Sequence, residues 1–63
     1  MIFLDDDVNN LKHVVNVMDI SNIALQPYFT SESTIRYTTT INFISQNEPL
    51  VIVLTESELL KLS

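Results

Sequence analysis

Between residues 34 and 45 the chain alternates: Ile35, Tyr37, Thr39, Ile41 and Phe43 fall on one side, Arg36, Thr38, Thr40, Asn42 and Ile44 on the other. Successive side chains of a strand point to opposite faces, so this period of two, carried by Thr, Ile, Tyr and Phe, predicts a half-buried β-strand. Ser45, Gln46, Asn47 and Glu48 break the pattern with turn formers. Pro49 has no N–H to give a ladder and suits the start of the next strand. Residues 50–54 (LVIVL) are apolar at every position, which predicts a second strand covered on two sides. Thr55-Glu56-Ser57-Glu58 then has the spacing of a capping box, in which the Thr55 hydroxyl accepts from the Glu58 N–H and the Glu58 carboxylate accepts from the Thr55 N–H. Leu59, Leu60 and Leu62, with Lys61 near the C-terminal end, predict a short helix lying across the sheet over Val51 and Val53.

The first half is patterned less clearly. Residues 1–4 are apolar and predict a short strand, at a sheet edge or across a subunit contact. Val8, Leu11, Val14, Val15 and Met18 have helical spacing, but residues 13–20 are dense in β-branched side chains, and Asn9, Asn10 and Asn16 are poor helix formers. The balance favours a strand over residues 12–20. Ser21-Asn22 reads as a tight turn or bulge. Ile23, Leu25 and Phe29 alternate with Ala24, Gln26 and Tyr28 in a further strand, which Pro27 confines to an edge or bends. Residues 30–33 read as a polar loop. The chain contains no Gly, so any turn needing positive φ falls to Asn, Asp or Ser, with Asn22 and Asn47 the candidates. The expectation is one compact α+β domain over residues 1–63: a small, mainly antiparallel β-sheet of roughly three to five strands with one short C-terminal helix.

Length changes this picture by raising the question of stability. A chain of 63 residues buries only roughly 60% of its unfolded surface, and small domains usually add disulfides, a metal or a partner subunit. With no Cys, disulfides and thiolate zinc sites are excluded, which leaves association with further copies as the expected supplement. The 46% hydrophobic content is too high for a disordered chain. No apolar run approaches the ~20 residues of a membrane span. Residues 1–4 lack a basic flank and run into acid, unlike a signal peptide, so the expected location is cytoplasmic. A composition rich in Ile and Asn and free of Gly and Cys suits a short reading frame of an AT-rich virus or mobile element, an accessory protein of the host cytoplasm.

Charge and motifs narrow the chemistry. Net charge is −5, concentrated early, where Asp5, Asp6, Asp7, Asp19 and Glu32 stand against Lys12 alone. This argues against direct nucleic-acid binding, which needs Lys and Arg against phosphate, and permits a basic protein partner. Without Gly neither a P-loop nor a dinucleotide fingerprint can be written. One His and no Cys leave few ways to activate a nucleophile, and no carboxylate spacing singles out an acid–base pair. The chain is therefore expected not to be an enzyme, and no cofactor or metal is assigned.

Asp5, Asp6 and Asp7 follow an apolar segment. That arrangement resembles the first strand of receiver domains and aspartate-based phosphotransferases, but those domains are far longer and need residues this chain cannot house. Clustered carboxylates also suit a magnesium ion. A solvated turn, or an acidic edge that meets a partner, fits the run more simply. His13 reads as a surface or half-buried side chain. Tyr28 and Phe29 are candidate interface anchors, or else core. Arg36 is the only guanidinium available for a carboxylate or phosphate, or for pairing with a surface acid. Asp5, Asp6, Asp7, Tyr28, Phe29 and Arg36 are thus the candidate partner-binding residues.

The functional expectation is a small acidic protein-interaction module, a homo-oligomeric adaptor or inhibitor. Its partners would be itself and another protein, with no direct nucleic acid and no membrane. The alternatives are an acidic decoy occupying a nucleic-acid-binding surface of a partner protein, and a small-ligand binder between subunits.

Overall fold

The computed structural model describes residues 1–29, 31 and 34–63. Two antiparallel sheets and one short C-terminal helix make a small α+β fold. Strands β1 (Ile2–Asp5) and β2 (Lys12–Val15) form a hairpin. Strands β3 (Ile20–Tyr28), β4 (Arg36–Phe43) and β5 (Leu50–Thr55) form a meander in the order β3-β4-β5. Helix α1 (Glu56–Leu59) tightens into a 3-10 turn over Leu60–Leu62.

Register decides which side of the meander is buried. Tyr37, Thr39 and Ile41 of β4 stand opposite Leu54, Ile52 and Leu50 of β5, and opposite Pro27, Leu25 and Ile23 of β3. All of these share one face. Ile41, Ile52 and Leu54 are buried there together with Leu4 and Val15 of the first hairpin, so the core lies between the two sheets. Thr39 is also fully buried, and its hydroxyl donates to the Tyr37 carbonyl at 3.1 Å, which removes the cost of an unsatisfied polar group.

Leu59 and Leu62 pack against this same cluster. The helix therefore covers the opposite face from the one its sequence suggests, and Val51 stays 56% exposed. The run 50–54 is covered on one side, because its even positions take the core through the pairing with Thr39 and Tyr37. The strand expected over residues 12–20 is broken. Asn16 caps a 3-10 turn over Val17–Asp19, its side chain accepting from the Met18 N–H at 3.2 Å, and β3 begins at Ile20. The bulge expected at Ser21-Asn22 is present as a register shift between Ile20 and Asn22. Pro27 sits in an edge strand, as its missing N–H requires.

Among the described residues, the only positive φ belongs to Asn10 (57°), in the β1–β2 loop, and to neither Asn22 nor Asn47. The loop expected over residues 30–33 lies, apart from Ser31, outside the described residues.

The capping box is half formed. The Thr55 hydroxyl accepts from the Glu58 N–H at 3.4 Å, but the Glu58 carboxylate turns away to accept from the Asp5 N–H at 2.8 Å and from Lys61. Thr55 still belongs to the β5 ladder opposite Arg36, so the box's second bond gives way to one that ties the helix to β1. Lys61 Nζ also donates to the Phe3 carbonyl at 3.0 Å. Hydrogen bonding from Lys61, then from the Asp5 N–H, holds the Glu58 carboxyl below its ordinary 4.5. A carboxyl depressed on folding stabilises above its unfolded pKa and loses that contribution as pH falls through the folded value. Glu58→Gln is accordingly expected to cost about 1 kcal/mol at neutral pH and to converge on the parent once the pH has fallen through the lowered Glu58 pKa. Thermal unfolding of the two proteins at neutral and at acid pH checks this.

Candidate functional site

The three consecutive aspartates do three different things. Asp6 continues the inward alternation of Ile2 and Leu4 and is 3% exposed. Its Oδ1 accepts from the N–H groups of Val8 (3.0 Å) and Asn9 (3.2 Å), and its Oδ2 from Asn9 Nδ2 (3.0 Å). Burial raises its pKa, but hydrogen bonds from the Asn9 side chain and the backbone of Val8, Asn9 and Val53 outweigh that and hold the carboxyl below 3.8. Asp6 is thus the organiser of the β1–β2 loop, which the Asn10 N–H to Asp6 carbonyl bond (3.0 Å) and the Asp6 N–H to Leu11 carbonyl bond (2.8 Å) complete. Asp7 pairs with the Arg36 guanidinium, and its N–H donates to the Val53 carbonyl at 2.8 Å, which closes the loop over β5. Asp5 faces Lys12 at 3.8 Å across the hairpin, an exposed pair of small energetic weight.

Of the candidate partner-binding residues, then, Asp7 and Arg36 come together, Asp5 lies on the hairpin's outer face and Asp6 points inward. Tyr28 ends β3 opposite Arg36 at 37% exposure, and Phe29 beyond it is 90% exposed. Half-buried His13 stands opposite Leu4 in the hairpin. Among the described residues no three His, Asp or Glu side chains gather to hold a metal ion.

The two edges of the meander differ. Asp7 covers part of the β5 edge. The β3 edge carries no partner strand among the described residues, over nine residues without a charged side chain. Beside it Ile23 and Leu25 on the sheet, with Leu59, Leu62 and Ser63 from the C-terminal segment, line an apolar groove. No protein-family pattern, curated protein or solved structure matches this chain.

Backbone directions along β3 follow from two observations. Ser21 Oγ donates to the Asn42 carbonyl at 3.1 Å, so Asn42 turns its carbonyl toward β3. Antiparallel ladders alternate, so Asn22, Ala24, Gln26 and Tyr28 exchange bonds with β4, while Ile23, Leu25 and Pro27 direct their backbone groups outward. Pro27 falls on the outward parity, where its missing N–H breaks no bond within the meander. Ile23 and Leu25 therefore offer both a donor and an acceptor at the edge, and their side chains enter the groove. Sequence reasoning named Tyr28 and Phe29 but passed over Ile23 and Leu25; the signal available was an alternating apolar strand, uncharged throughout and marked as an edge by Pro27.

Proposed function

We propose that the protein is a small protein-interaction module, an adaptor or inhibitor, that takes an extended segment of another polypeptide onto the free edge of β3. The observation that carries this reading is the outward pair Ile23 and Leu25, whose backbone groups have no partner strand among the described residues and whose side chains open on the groove beside Leu59 and Leu62. Strand addition draws affinity from main-chain bonds and selectivity from pockets that take alternate side chains, and both are supplied at this edge. Edge strands ordinarily carry protection such as a lysine, a bulge or a cover. Here that protection is reduced to the bulge at one end and Pro27 at the other.

Selection of extended peptides from a random library, against protein immobilised at low density, tests this reading. Enriched peptides should alternate aliphatic residues and should bind about tenfold more weakly when the Leu25 amide nitrogen is methylated in a synthetic chain, the loss of roughly one hydrogen bond. Failure to enrich any such peptide, or equal binding to the methylated chain, overturns it.

A further inference from the structure

The strand-addition reading leaves the occupant open, and resting on it we propose that this occupant is β3 of a second copy, paired antiparallel with Ile23 opposite Leu25 of that copy. Three features select a like chain. The first is charge. Each copy carries −5, so copies meeting through acidic surface would repel; but no charged residue lies between Asp19 and Glu32, the longest uncharged run in the sequence.

The second is the register. Antiparallel self-pairing about a two-fold axis can centre on Ile23, on Ala24 or on Leu25, and centring on Ile23 sets Leu25 against Ser21, inside the bulge that ends the regular edge. Centring on Leu25 sets Ile23 against Pro27 of the second copy, which has no N–H to return. Centring on Ala24 sets Ile23 against Leu25 twice, and all four residues exchange a donor and an acceptor. The backbone chemistry thus prefers one register. The two-fold axis then runs perpendicular to the sheet, so the core faces of both copies lie on the same side. Ile23 and Leu25 of each copy meet those of the other beside the groove formed with Leu59 and Leu62.

The third is closure. Pairing through β3 about a two-fold axis uses the β3 edges of both copies at once, so that contact closes at a six-stranded dimer, while Asp7 covers part of the β5 edge. The dimer also supplies the extra buried surface that so short a chain needs.

The absence of native cysteine gives a direct test. In the preferred register Ala24 faces Ala24 of the second copy as a non-hydrogen-bonded pair, with Cα atoms about 4.5 Å apart, inside the range that a disulfide spans. Ala24 is exposed on the face away from the core. Ala24→Cys should therefore cross-link under mild oxidant at least about tenfold faster than exposed Ser57→Cys, because pairing raises the local thiol concentration. The unaltered protein should show twice the 7.2 kDa chain mass by light scattering. It should also protect the Ile23 and Leu25 amides from hydrogen exchange as concentration rises, a readout that needs no substitution. Faster cross-linking of Leu25→Cys than of Ala24→Cys overturns the register. A 7.2 kDa mass up to high micromolar concentration, with Ala24→Cys no faster than Ser57→Cys, overturns the dimer. In that case selected peptides that lose affinity on Leu25 methylation would still uphold strand addition, and their absence would remove both.

Discussion

Leu54→Ala is expected to leave the protein largely unfolded at room temperature. Leu54 is fully buried, on the strand that meets both β4 and the helix, and it belongs, among the described residues, to a core of five buried apolar side chains: Leu4, Val15, Ile41, Ile52 and Leu54. Removing a buried leucine to alanine costs about 2–5 kcal/mol, through lost transfer energy and the cavity left behind. Domains of this size rarely hold more than about 3–5 kcal/mol in total. The substitution thus takes most or all of the margin. Val51→Ala, one strand step from Ile52 and on the open face, should change stability by less than about 0.5 kcal/mol. Urea unfolding followed by circular dichroism separates the two. A small loss at Leu54 would mean that the core lies elsewhere, and a large loss at Val51 would mean that the second face is covered.

The second large effect is expected at Asp6. Asn in its place keeps the shape and one acceptor oxygen for the Val8 and Asn9 N–H groups, but sets a donor NH2 against the Asn9 Nδ2 amide and removes the charge that all three donors meet. A buried group left without its partner costs about 1–3 kcal/mol, so Asp6→Asn should be destabilising by that amount at neutral pH. Because the Asp6 carboxyl is held below 3.8 in the folded protein, its contribution is complete above that value and is lost as pH falls through the folded pKa. The parent should therefore lose stability in acid, and the variant should show a flatter acid limb. Unfolding midpoints measured from pH 7 to pH 2 decide it, and parallel curves would rule out the role assigned to Asp6. Asp5→Asn serves as the internal control at pH 7, because its exposed contact with Lys12 carries little stability.

The strands that were easiest to read were those in which hydrophobic alternation and turn chemistry agree. β4 has both, with Pro49 marking the start of β5, and the alternation separated the two faces of β4, although the helix was expected over the wrong one. What escaped was the face of β5, since an all-apolar run carries no alternation and only pairing with β4 distinguishes Ile52 from Val51. The break between β2 and β3 was hidden for a related reason. β-branched residues continue across it, and the feature that stops the strand is one side-chain acceptor on Asn16. Asp6 looked the same as its neighbours by type alone. Its position did hold a clue, since the period of two set by Ile2 and Leu4 lands on it, and an inward carboxylate followed by two asparagines is well suited to close a loop on itself. The candidate edge was legible as an edge through Pro27. Which of its residues face outward was not, because that depends on the parity of the ladder with β4.

The bond from the Asp5 N–H to Glu58 spans 53 positions of sequence, and it bears on when the fold can form. During synthesis the first hairpin emerges with Leu4 and Val15 facing water, and the strand that buries them is made only some forty residues later. Until β5 and α1 have left the ribosome, nothing locks β1 in place, so the native arrangement closes late and all at once. The contacts that tie the first hairpin to β5 and α1 join distant parts of the chain, and such non-local contacts slow folding relative to helical proteins of equal length. A nascent copy thus exposes its apolar hairpin longest in the crowded polysome, where other unfinished copies of the same chain are its nearest neighbours.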